Sequence, residues 1–114
     1  MALSSSPGAR NRRIAFHRAE ITKDAMNADV QTWPELGKRW ACASFGTGQE
    51  RRDAAQQSGS APATFRVLLD SLTRTLTITD RIRYLEADWD ITSIVPAADE
   101  RPNTAIDITA IRAA

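Results

Sequence analysis

The chain has 114 residues, 42% of them hydrophobic and 25% charged, with 15 Lys and Arg against 14 Asp and Glu. A chain of that size makes one domain that buries about two-thirds of its unfolded surface, and it holds no apolar run near the ~18 residues of a membrane span. A net charge of +1 argues against a dedicated nucleic-acid binder, which carries clustered Lys and Arg; the single Cys42 allows no internal disulfide and fits a reducing cytoplasm.

Residues 1–9 begin with Met1, Ala2, Leu3 and a serine run, without the apolar core of a secretion signal, and read as a flexible N-terminal tail. Residues 10–114 read as a single domain. Residues 12–19 alternate as a strand, with Ile14 and Phe16 on one face and Arg13, Ala15 and His17 on the other. Residues 22–29 are polar, and their Asn and Asp suit turns. Trp33-Pro34 starts the next element, since Pro34 biases Trp33 to extended geometry.

Residues 39–45 form a second predicted strand, with Trp40 and Cys42 on one side and Ala41, Ala43 and Phe45 on the other. Gly46 and Gly48 break it. Thr47 and Glu50 then have capping-box spacing, so a short helix is expected from about Gly48 to Gln57, ending at Gly59. Gln49, Glu50, Arg51, Arg52, Asp53, Gln56 and Gln57 make it polar all round, so it has no core to dock on within its own domain.

Residues 63–69 are the clearest strand, with Ala63, Phe65, Val67 and Leu69 on one face. A short Thr-rich strand is expected at residues 76–78. Ile82 to Tyr84, a turn at Leu85, Glu86 and Ala87, and residues 89–95 read as a hairpin. Residues 96–103 form a loop with two prolines, and residues 104–111 a last strand with Ile106 and Ile108 inward. About six short strands, one polar helix and long loops make a mainly β protein, a small barrel or sandwich.

No motif assembles a catalytic or metal site. Gly46 and Gly48 lack the third glycine of a dinucleotide fingerprint and the Gly-Lys-Ser/Thr of a phosphate loop. Asp88 and Asp90, near Glu86, are too few oxygens for calcium and fall on the water side of a strand. Cys42 reads as a small buried thiol, and His17, the one histidine, as a solvated or interface residue; together they cannot close a zinc site. No cofactor is expected. Trp40 and Trp89 default to the core, while Trp33 beside the polar loop suits an interface anchor. Arg10, Arg12 and Arg13 either touch phosphates, meet an acidic patch on a partner, or stay solvated.

The order of these elements resembles the phage head–tail joining family, the head-closure or stopper proteins. The likeness runs from about Gly8 to Ile111. It rests on Gly8 followed by Arg10, Arg12, Arg13 and a strand ending in Arg18, the polar loop before Trp33, and Trp40-Ala41. It continues through Gly48-Gln49-Glu50-Arg51 leading to Ala54, Ala55, Gln56 and Gln57, then Thr77 to Ile82, and Trp89-Asp90-Ile91. Two departures are the turn at Leu85, Glu86 and Ala87, where the family usually has a glycine, and a longer loop over residues 97–103.

The resemblance implies a small antiparallel β-barrel in the virion neck of a tailed phage or a phage-like particle such as a gene transfer agent. It implies a homo-oligomeric ring, typically a dodecamer, with a portal adaptor above and a tail terminator below. By the same analogy residues 49–60, with Gln49, Glu50, Arg51, Arg52, Gln56 and Gln57, reach the axial channel and touch packaged double-stranded DNA in passing. Arg10, Arg12, Arg13 and Trp33 are the interface candidates. A tail-completion protein of the same neck and a small nucleic-acid-binding barrel are the alternatives.

Overall fold

The computed structural model describes residues 3–45 and 62–112. Strand β1, Arg12–His17, buries Ile14 and Phe16 as alternation requires. It pairs antiparallel with β4, Glu35–Ser44, and with β6, Arg81–Tyr84. Strand β5, Pro62–Leu68, joins β4 to β8, Ala105–Arg112. Strand β7, Ala87–Pro96, lies between β8 and β6. The six close into a barrel in the order β1-β4-β5-β8-β7-β6, every pair antiparallel. Closure leaves no unpaired edge in this sheet. The expected polar helix at 48–57 lies outside the described residues.

The core is the inward parity of these strands. Phe16, Phe65, Ile14, Ile82, Ile108 and Val67 are fully buried. Phe65 meets Tyr84 edge-on at 5.6 Å and Trp89 at 5.9 Å between centroids, and Phe45 stacks on Tyr84 at 6.1 Å. Such pairs add about 0.5–1.5 kcal/mol each beyond their burial. Cys42 is buried, on the outward parity of β4 opposite Arg66.

Three expectations are corrected. Residues 22–29 are not only a turn. Strands β2, Glu20–Lys23, and β3, Asp29–Thr32, form a separate two-stranded hairpin. Its tip is held by Asp24, whose Oδ1 accepts the Met26 and Ala28 N–H groups, and by Asn27 at φ 63°, a left-handed position that Asn tolerates. Every residue of both strands is exposed, so no apolar alternation marked them in the sequence.

The second correction is residues 76–78, which form no strand. Asp70 and Thr73 bond the local backbone instead: Asp70 Oδ1 accepts the Leu72 and Thr73 N–H groups, and Thr73 Oγ1 donates to the Leu68 carbonyl. These side chains outcompete a ladder and set a 3₁₀ turn at Thr73–Thr75. Leu76 then plugs the core and Ile78 faces water.

Trp40 is the third. It is 49% exposed on the barrel's outer wall, because Ala41 takes the inward position beside it. Trp89 is in the core as expected.

Candidate interaction surface

The outer wall of β5 carries Arg66, which ought to face water by its parity. It is instead covered by residues 3–10 and by the loop after β7. Its guanidinium holds Asp107 through Nε at 2.6 Å and Nη2 at 2.9 Å. It also reaches Asp99 at 2.8 Å and donates to the Leu3 carbonyl at 3.1 Å. The Ser5 N–H donates to Glu100 Oε1, and Arg10 Nε donates to the Ser5 carbonyl. Hydrogen bonding to Asp107 holds Arg66 protonated against the burial that opposes its charge. Arg66 holds the Asp99 carboxyl below its usual range, and the Ser5 hydrogen bonds do the same for Glu100. The segment read from sequence as an N-terminal tail is thus, over residues 3–10, hydrogen-bonded to this network.

A second cluster ties the hairpin to the barrel. Arg18 forks onto Asp80 at 2.9 and 3.0 Å and donates to the Thr75 carbonyl. Trp33 is half-buried, with the Arg81 guanidinium 4.1 Å above its ring. The Trp33 carbonyl lies 2.8 Å from His17 Nδ1 and can only accept, so Nδ1 carries the proton there. His17 Nε2 is buried without a protein partner.

The third feature is the outer face of β1. Arg12 and Arg13 are exposed, and the Arg13 guanidinium sits 5.2 Å from the centre of the exposed Trp40 ring. A hollow of about 300 Å³ is bordered by Pro7, Arg10 and Trp40. Another of about 380 Å³ lies along β1, bordered by Arg13, His17, Glu35, Lys38 and Arg83. The sequence reading picked out Arg10, Arg12 and Arg13 but missed Trp40, Lys38 and Arg83, which strand pairing brings to the same wall. The overlooked signal was parity: Ala41 and Ala43 claim the inward side of β4, so Trp40 and Lys38 must point out.

Asp88 and Asp90 face Arg83 and Arg81 at 3.1 Å, which makes them ion-pair partners. Among the described residues no group of three or more His, Cys, Asp or Glu side chains could hold a metal ion, and no helix is long and apolar enough to cross a membrane. The channel candidates Gln49, Glu50, Arg51, Arg52, Gln56 and Gln57 lie outside the described residues.

A sequence-profile comparison matches residues 5–112 to the phage head completion protein family. The chain belongs to that family. The match covers every strand of the barrel, the outer hairpin and all of the Arg66 network but Leu3. Members of this head completion family are structural virion proteins rather than known enzymes. A search of curated protein sequences finds no match. Solved structures share the fold, among them two. One is the solution structure of protein SF1141 from Shigella flexneri 2a, with TM-score 0.68 and 17% identity over 96% of this chain and 97% of that one. The other is a chain from the virion of a native gene transfer agent particle, with TM-score 0.61 and 21% identity over 90% of this chain and 94% of that one.

Proposed function

We propose that this head completion protein forms a homo-oligomeric ring, a dodecamer in the leading reading, in the neck of a tailed phage or phage-like particle. It joins a portal adaptor above to a tail terminator below and helps to retain or pass the packaged double-stranded DNA. The observation that carries this reading is the family match across the whole barrel, residues 5–112. The fold likeness to a chain of a gene transfer agent virion supports a phage-like particle as well as a phage.

The geometry gives physical support. A closed barrel with its own core needs no neighbour to fold, yet the β2–β3 hairpin leaves Ile21, Met26 and Val30 exposed, covered by none of the described residues. An isolated two-stranded hairpin is marginal in water, so a neighbouring copy gives it a reason to exist. In a ring each subunit repeats one head-to-tail contact until the rotation closes. Near-neutral charge suits a conduit, because each neutralised phosphate would make DNA stick. Residues 49–60, through Gln49, Glu50, Arg51, Arg52, Gln56 and Gln57, are the proposed channel segment.

The test is imaging of particles carrying a tagged copy of this chain, together with particles lacking residues 49–60. Tag density at the junction of head and tail, and leakage of DNA from the deletion particles, are the expected outcomes. A tag found elsewhere in the particle would overturn the neck assignment. DNA-tight deletion particles would overturn the channel role.

A further inference from the structure

The outer face of β1 carries more positive charge than the described residues answer. Across β4, β1 and β6, Lys38, Ala15 and Arg83 stand side by side on one rung, and Trp40 and Arg13 pair on the next outward rung. Ala15 ends at its Cβ, so this rung is a trough with an alanine floor and cationic walls. The walls stand two strand spacings apart, ~10 Å. The hollow above the floor is the one of about 380 Å³, and the Arg13–Trp40 pair joins it to the hollow bordered by Pro7 and Arg10.

Most carboxylates among the described residues are spent elsewhere, while Glu35 borders the hollow itself. Asp70, Asp80, Asp99 and Asp107 are paired with Arg39, Arg18 and Arg66, and Asp88 and Asp90 with Arg81 and Arg83. Arg12, Arg13 and Lys38 have no ion-pair partner among the described residues. They are therefore open to the carboxylates of another molecule. One feature favours a polypeptide over a duplex: the trough, two strand spacings from wall to wall, is one extended chain wide.

We propose that the β4–β1–β6 wall binds an acidic, extended segment of another protein, whose carboxylates meet Lys38 and Arg13 while an apolar side chain packs on Trp40. Arg13 lying on Trp40 prepares the surface, since exposed Trp and Arg are the residues that most often anchor an interface. This goes beyond the joining role and stands without it: the face would bind such a segment wherever the particle places it.

The experiment uses the full chain and a fluorescein-labelled Glu-Glu-Leu-Glu-Glu peptide, followed by anisotropy at about 50 mM salt. Saturable binding that weakens with added salt is expected. Lys38→Glu with Arg13→Glu should weaken it by about ten-fold or more. Trp40→Ala should weaken it with less change in salt dependence. Arg101→Glu, on another face, should leave it unchanged. Melting temperatures near the parent's show that each variant is folded. No saturable peptide binding, undiminished binding by the charge-reversed variant, or tighter binding of a short DNA duplex than of the peptide would overturn the proposal. Particle imaging can succeed while this assay fails, so the two readings fall separately.

Discussion

Replacing Arg66 by Met probes the best-buried cation among the described residues. The Arg66 side chain is 4% exposed, and its main partner Asp107 is 17% exposed. Met fills much of the volume but leaves Asp107 without its two hydrogen bonds and removes the donor to the Leu3 carbonyl. Removing one partner of a buried pair costs about 3–5 kcal/mol, and the partial exposure of Asp107 places this case near the lower end, about 3 kcal/mol. A 114-residue domain has an unfolding entropy of about 0.24 kcal/mol/K, so the melting temperature should fall by about 12 °C. The pair Arg66→Met with Asp107→Leu should recover most of that loss, because both charges are then gone. Thermal unfolding followed by circular dichroism reads both. Trypsin adds a local readout: cleavage after Arg10 should accelerate in Arg66→Met, as residues 3–10 lose an attachment. A loss under about 1 kcal/mol, with unchanged cleavage at Arg10, would refute the view that Arg66 fastens this segment to the barrel.

Other perturbations follow from the same structure. Burial pushes the Asp70 carboxyl up, but Arg39 and the Thr73 and Leu72 N–H groups outweigh it and hold it low. A depressed folded-state carboxyl contributes stability that is complete above its unfolded value of 3.8 and is lost as pH falls through the folded value. Melting temperature should therefore hold steady above about pH 5 and drop below about pH 4, and Asp70→Asn should flatten that drop. Leu85 and Glu86 both adopt left-handed φ, 52° and 60°, in a two-residue turn that favours Asn-Gly. Leu85→Asn with Glu86→Gly should stabilise the chain by about 1–2 kcal/mol, measured by urea unfolding. Phe65→Ala, at the centre of the aromatic cluster, should cost about 3–5 kcal/mol in the same assay. Trp40→Ala should cost under about 1 kcal/mol, since its ring already stands in water.

What the residues alone determined was the alternation of the barrel strands. Ile14 and Phe16, Ala63 to Val67, and Ile106 to Ile108 carry a period of two that one buried face imposes, and a strand slipped by one residue would expose them all. The ordered fragments from Gly8 to Trp89 likewise pointed to the family that the profile match shows. Tertiary structure decided what depends on neighbours from distant sequence. The β2–β3 hairpin buries nothing, so it left no apolar pattern to read. Trp40 looked like core by its chemistry, and only the register with β1 turned it outward onto Arg13. Arg66 stands on the outward parity of β5, and only the closing of residues 3–10 and the loop after β7 over it made it a buried charge. The joined face of Lys38, Ala15 and Arg83 exists because barrel closure sets β6 beside β1, across more than sixty residues of chain. Parity within a strand is local chemistry, whereas adjacency between strands is settled only when the sheet closes.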